Sequence, residues 1–194
     1  MAESRAARLR ATPFRVYVTP ALTSFVRALL RRLATPALVL VTIAGAAYLL
    51  ARAVESGYPA LGLLPEWTLG VWVVLFLATE LTPVGLPRGG FMTVSSAFDY
   101  AAIVLFGPFV TAILDLISGM AAHGLARPRP PVRVFFNLAT CVISAFGASA
   151  VFEALGGTRG AIALDPRGLL AFAGLGVTYF ILNTGLVSLV LAIE

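Results

Sequence analysis

Six apolar stretches occupy most of this chain and leave too little polar sequence between them for a soluble domain. They lie at residues 36–52, 67–82, 91–106, 108–125, 134–156 and 168–192. With 59% hydrophobic and 12% charged residues, the chain has too little charge to cover the surface of a soluble fold of 194 residues. The sequence therefore predicts an all-α polytopic membrane protein, a bundle of about six transmembrane helices in a lipid bilayer.

The distribution of arginine predicts the orientation of this bundle. Half of the arginines precede the first apolar stretch, and a further cluster at residues 127–133 lies between the fourth and fifth. Loops rich in arginine stay in the cytoplasm. Counting six crossings from a cytoplasmic N-terminus also returns the C-terminus to the cytoplasm. We therefore expect a multi-pass protein of the bacterial cytoplasmic membrane with both termini inside.

A basic arm, residues 1–33, precedes the membrane domain, residues 34–194. From Thr19 and Pro20 onward, apolar residues recur at helical spacing and arginines lie on the opposite side, which is typical of a helix on an anionic membrane surface. Its function would be that of a surface lever or docking helix, or simple anchoring. The membrane-surface residues predicted here are Phe25, Leu29, Arg27, Arg31 and Arg32.

Several functional classes lack support in the sequence. The net charge of +5 comes from arginines that sit where topology requires them, so no nucleic-acid partner is indicated. Cys141 is the single cysteine, and we interpret it as a small packing residue. No metal-ligand spacing, phosphate-binding glycine loop or Ser/His/Asp set is present, so we predict neither a metal site nor an enzyme, and no cofactor is indicated.

Two carboxylates within the apolar stretches are the main candidates for a functional site. Asp99 lies eight residues before Gly107 and Asp115 lies seven after Pro108. If Gly107-Pro108 is a tight turn, both lie on the order of 11–12 Å below it on neighbouring helices. They would then form a site for a ligand, a proton or an ion, with Asn183 as a third contributor. Alternatively each is satisfied locally, for instance Asp115 by Ser118, and Asn183 only links helices.

The third apolar stretch is short and follows residues 86–90, which break helices. Such a segment needs neighbours to bury its ends in a hydrocarbon layer of about 30 Å. We expect an ion pair between Glu80 and Arg88 to brace this loop. In the fifth stretch, Thr140, Ser144 and Ala148 form a small-residue stripe that predicts close helix packing.

Residues 78–90, 94–97, 105–108, 133–137 and 182–187 together resemble the multi-helix N-terminal region found ahead of HD-type phosphohydrolase and GGDEF output domains in bacterial signalling proteins. The resemblance implies a sensory or regulatory input domain, and it implies that an output domain follows in such proteins. No residue of a phosphohydrolase or cyclase site occurs in this chain.

Three functions therefore remain open. The first is a non-enzymatic sensory or regulatory input module that binds a small or lipidic ligand within the bundle. The second is an accessory subunit that packs against a larger membrane complex or a second copy of the chain. The third is a substrate-capture subunit similar to the membrane-embedded binding components of vitamin-uptake transporters.

Overall fold

The computed structural model describes residues 20–56, 66–82, 84–85, 91–92, 95–126, 130–161 and 163–193. This part of the chain is helical apart from loops and one short ladder of two strands. The elements are α1 (Pro20–Glu55), α2 (Glu66–Leu81), β1 (Val84–Gly85), β2 (Phe91–Met92), α3 (Ser95–Phe106), α4 (Pro108–Ala126), α5 (Pro131–Ala154) and α6 (Pro166–Ile193).

Proline begins four of these six described helices, namely α1, α4, α5 and α6. Proline lacks a backbone N–H, but at the first helical position an N–H would have no acceptor within the helix. The proline ring also holds φ near the helical value. Asp165 adds a second start signal to α6, because its Oδ1 accepts a hydrogen bond of 2.7 Å from the N–H of Gly168. The helix boundaries are thus encoded locally.

Three of the described helices are long and apolar enough to span a membrane, whereas the sequence predicted six. They are Leu33–Glu55 within α1, Pro131–Ala154 and Pro166–Ile193. The apolar parts of α2, α3 and α4 are shorter, at Trp67–Leu81, Ser95–Phe106 and Pro108–His123. At a rise of about 1.5 Å per residue, the 12 residues of α3 reach only about 18 Å, little more than half of a hydrocarbon core.

The third apolar stretch does not form the helix over 91–106 that its length suggests. Instead β2 pairs with β1 in antiparallel register, Val84 opposite Met92 and Gly85 opposite Phe91. Prolines and glycines between the strands disfavour a helix, and the ladder supplies the backbone hydrogen bonds that a helix would have made. Helix α3 therefore starts only at Ser95.

Helix α1 runs for 36 residues without a break at Pro36. The predicted surface segment and the first apolar stretch are thus one continuous helix. Side chains are described from Leu33 onward, and residues 1–19 lie outside the described residues. The prediction that residues 20–33 lie on the membrane surface is therefore not tested.

Helix α5 is the centre of the bundle. It packs against α1, α4 and α6, and more than half of its apolar span is buried, whereas α1 and α6 expose most of theirs. Thr140, Ser144 and Ala148 are all fully buried, which confirms that the small-residue stripe is a packing surface.

Gly107 alone separates α3 from α4 and has a φ of 85°, so the predicted tight hairpin is present. Glycine adopts this left-handed conformation without a Cβ clash. The loop after α5 closes over the same end of the bundle, because the N–H of Gly160 donates to the carbonyl of Val104 at 2.8 Å. That contact places the α3–α4 turn and the α5–α6 loop together.

Candidate functional site

The α3–α4 hairpin brings Asp99 and Asp115 together inside the bundle. The two carboxyl groups lie close enough to act on each other. Only 2% of Asp99 and 8% of Asp115 is exposed. The sequence predicts matched depth for these two residues, and the tight turn at Gly107 places both inside the bundle on adjacent helices.

Tyr179 of α6 completes this pair, and the sequence reasoning missed it. Its hydroxyl donates a hydrogen bond of 2.5 Å to Asp99 Oδ2, and the side chain is 1% exposed. Its ring meets that of Tyr100 edge to face, with centroids 5.3 Å apart. A buried phenol needs a hydrogen-bond partner. A tyrosine in the middle of an apolar stretch was therefore the sequence signal for a buried polar partner.

Two carboxylate oxygens in the pair lack a donor. Asp99 Oδ1 and Asp115 Oδ2 are buried and have no hydrogen-bond partner in the described part of the chain. Two unit negative charges about 4 Å apart repel by about 4 kcal/mol at an effective dielectric constant of about 20. A proton or another cation between the two carboxyl groups removes this repulsion and gives the unpartnered oxygens a contact.

Two further ionisable side chains border the pair. The Cys141 thiol of α5 lies near the Tyr179 hydroxyl. Glu80 of α2 lies close enough to add to the negative potential at both aspartates. We name the group of Asp99, Asp115, Tyr179, Cys141 and Glu80 the acidic cluster. Five helices, α2 to α6, each contribute one member.

Asn183, the predicted third contributor, makes no hydrogen bond to the pair among the described residues. It lies on α6 one turn beyond Tyr179 and is half-buried. Ser118 does not satisfy Asp115 through its side chain either. Its hydroxyl donates to the backbone carbonyls of Leu114 and Asp115, at 2.8 and 3.3 Å.

The side chains of the remaining sequence-predicted residues are not among those that the structure describes. The backbone of α1 includes the five predicted membrane-surface residues, but side chains are not described at Phe25, Arg27, Leu29, Arg31 and Arg32. Arg88, the expected partner of Glu80, also lies outside the described residues. Both predictions stay predictions.

A second concave feature lies at the α5–α6 loop, at the far end of the hairpin from the start of α3. It is a cavity of about 270 Å³ whose lining includes Phe152, Thr158, Asp165 and Arg167. Asp165 already accepts the N–H of Gly168, and both Asp165 and Arg167 are exposed. The cavity therefore offers a ligand no buried charged group.

The chemistry available to the acidic cluster is the binding of a positive charge. Its carboxylate and phenol oxygens are hard donors. Across the described ranges no group of three or more His, Cys, Asp or Glu side chains could hold a metal ion, so a transition-metal centre has no support there. The arrangement suits a proton or a small cation that stays between the two aspartates.

Comparison of the chain with protein-family models, with curated proteins and with solved structures finds no match. The resemblance to the input regions of HD-type and GGDEF signalling proteins therefore stays a prediction. The functional argument depends on the geometry of the acidic cluster alone.

Proposed function

We propose that this chain is a non-enzymatic sensory or regulatory input module of a membrane, in which the charge state of the Asp99–Asp115 pair controls the position of α6. The observation that carries the proposal is the burial of two carboxyl groups close together on adjacent helices of the bundle. Ionisable groups at membrane depth are costly to bury and are typically retained for function.

In this proposal all six described helices lie in the bilayer, with both termini on the cytoplasmic side. The short helices α2, α3 and α4 pack against one another, and α4 also packs against the central helix α5. Protein neighbours thus cover the ends that lipid alone could not solvate. The cytoplasmic orientation is supported by the arginine distribution.

Tyr179 supplies the route from the pair to α6. Little of the apolar span of α6 is buried, yet Tyr179 is, and its hydroxyl bonds directly to Asp99. Ile193, the last helical residue, lies 14 residues further along, or about 21 Å. A change in charge at Asp99 alters this hydrogen bond and shifts α6 as a rigid rod.

Distances between spin labels test this coupling in nanodiscs. Labels at Val132 and Leu191, both exposed, report on the end of the bundle where α5 begins and α6 ends. In a Cys141→Ser background we expect their separation to differ between acidic and alkaline buffer. The double variant Asp99→Asn/Asp115→Asn should show one separation in both buffers, because neither amide changes its charge.

Matched controls separate the pair from its surroundings. Tyr179→Phe should remove the shift, whereas Tyr100→Phe, on the neighbouring ring, should keep it. Glu80→Gln should keep the shift but change the pH at which it occurs, since Glu80 acts on the pair only through its charge. Labels at Trp67 and Leu164, at the opposite end, should not move. An unchanged Val132–Leu191 separation in all buffers, or a shift that survives in the double Asn variant, would overturn the proposal.

A further inference from the structure

We propose that the Asp99 and Asp115 carboxylates and the Tyr179 hydroxyl form a binding site for a dehydrated alkali cation of about the size of sodium, which exchanges with the proton that the two aspartates share. This inference rests on the proposed function, because it names the ligand of the same site. It is argued from the charge, the unpartnered atoms and the ligand chemistry of the acidic cluster.

The charge around the pair is uncompensated. Asp99, Asp115 and Glu80 all carry carboxyl groups, and the ion pairs of the described residues, Arg52–Glu55 and Arg159–Glu153, do not include the two aspartates. The sequence itself has no arginine, lysine or histidine between residues 89 and 122. In this proposal the positive charge at the pair comes from solution.

The unpartnered oxygens give that charge specific ligands. Asp99 and Asp115 are each more than nine-tenths buried, and Asp99 Oδ1 and Asp115 Oδ2 have no donor among the described residues. One shared proton can bridge only two oxygens. A cation contacts several oxygens at once, including that of Tyr179, which already lies 2.5 Å from Asp99 Oδ2.

The charge of the site favours a small monovalent ion. A monovalent ion that replaces one shared proton leaves the charge of the buried pair unchanged, whereas calcium or magnesium would add a second positive charge. Asp99 and Asp115 lie close together, so we expect sodium to fit between them better than the larger potassium ion.

The exchange conserves charge. When sodium enters, the proton between the two carboxyl groups leaves to water, and the total charge of the site is unchanged. The affinity for sodium must then depend on pH, because sodium and the proton compete for the same oxygens.

Proton release on addition of salt tests the inference directly. Purified protein in nanodiscs, in weakly buffered choline chloride, is titrated with sodium chloride while a pH indicator records released protons. ²³Na NMR records binding in the same sample. We expect about one proton per protein, and an apparent dissociation constant that rises about tenfold for each pH unit lost. Potassium chloride should release markedly fewer protons.

Variants locate the release at the pair. Asp99→Asn and Asp115→Asn should each abolish it, and Tyr179→Phe should weaken sodium binding. Asp165→Asn removes an exposed carboxylate and should leave the release unchanged.

Absence of sodium-dependent release, or equal release in Asp99→Asn, would overturn the cation site. If buffer pH still moved the spin labels, the proposed function would stand. If the spin labels never moved while sodium still released protons, only the proposed function would be overturned.

Discussion

At the scale of single residues, the stability of the acidic cluster depends on one hydrogen bond between distant parts of the chain. Tyr179 and Asp99 are separated by 80 residues, and their bond is 2.5 Å long and fully buried. A hydrogen bond to a charged group contributes about 1.5–3 kcal/mol to stability. A buried donor or acceptor that loses its partner lowers stability by a similar amount. The Tyr179 hydroxyl is therefore a structural contact as well as a candidate signalling contact.

Tyr179→Phe tests this contact by removing the hydroxyl while the ring stays in place. We expect the free energy of unfolding to fall by about 1–3 kcal/mol, since Asp99 Oδ2 loses its donor. Thermal unfolding in detergent, followed by circular dichroism, measures the change. Tyr100→Phe is the matched control, because the Tyr100 hydroxyl is only partly buried, its bond to Gly176 O is long at 3.5 Å, and its loss should matter less. Equal losses in both variants would contradict the prediction.

The sequence predicted one half of the site and missed the other for a physical reason. Asp99 and Asp115 are on consecutive helices, so the turn at Gly107 fixes their relative depth and local spacing is enough. Tyr179 reaches Asp99 from a helix that starts some 60 residues after the hairpin. The rotation of α6 about its own axis is set by packing against α5, in the buried cluster that includes Ala148 and Leu175, and no local pattern encodes that packing.

At the scale of elements, the apolar stretches predicted α4, α5 and α6 well, each of which begins at a proline, and they predicted the starts of α1 and α3 poorly. The third stretch loses its first residues to the β1–β2 ladder, which forms because glycine and proline precede it. Helix α1 extends beyond the first stretch through Pro36, since its N-terminal arm is itself helical. The hydrophobicity of a segment predicts that lipid or protein surrounds it, but it does not predict the residue at which its helix starts.

The entry to α6 offers a test of local close packing. A Cβ on Gly168 would collide with the backbone carbonyl of Ala163, whereas a Cβ on Gly185 in the same helix would meet nothing. Gly168→Ala should therefore lower the unfolding free energy by about 1–3 kcal/mol, the usual penalty of overpacking. Gly185→Ala should be neutral or raise it by up to about 1 kcal/mol, because alanine favours helix.

Melting temperatures of the two alanine variants, measured side by side, check this element. The Gly168→Ala protein should melt below the wild type and the Gly185→Ala protein at or above it. Identical melting temperatures would show that the α5–α6 loop moves freely away from α6, contrary to the contacts described.

At the scale of the whole molecule, the bundle combines a buried central helix with two exposed ones. Three packed clusters surround α5 and the hairpin, and the acidic cluster lies among them. Large apolar side chains on α1 and α6 remain uncovered, for instance Leu40, Phe180 and Leu191. A bilayer covers such surfaces without further contacts, which is consistent with a membrane protein built around one polar interior site.

The central claim is that Asp99 and Asp115 act as one unit inside this bundle, and a double-mutant cycle tests it most directly. Unfolding free energies are measured for wild type, Asp99→Ala, Asp115→Ala and the double variant. Either single change leaves the other buried carboxyl group without its partner, so the double variant should lose less than the sum, by about 0.5–3 kcal/mol. A parallel cycle of Asp99→Ala with Ser118→Ala, whose hydroxyl bonds only to its own helix, should be additive. Additivity within about 0.5 kcal/mol for the Asp99–Asp115 cycle would contradict the account.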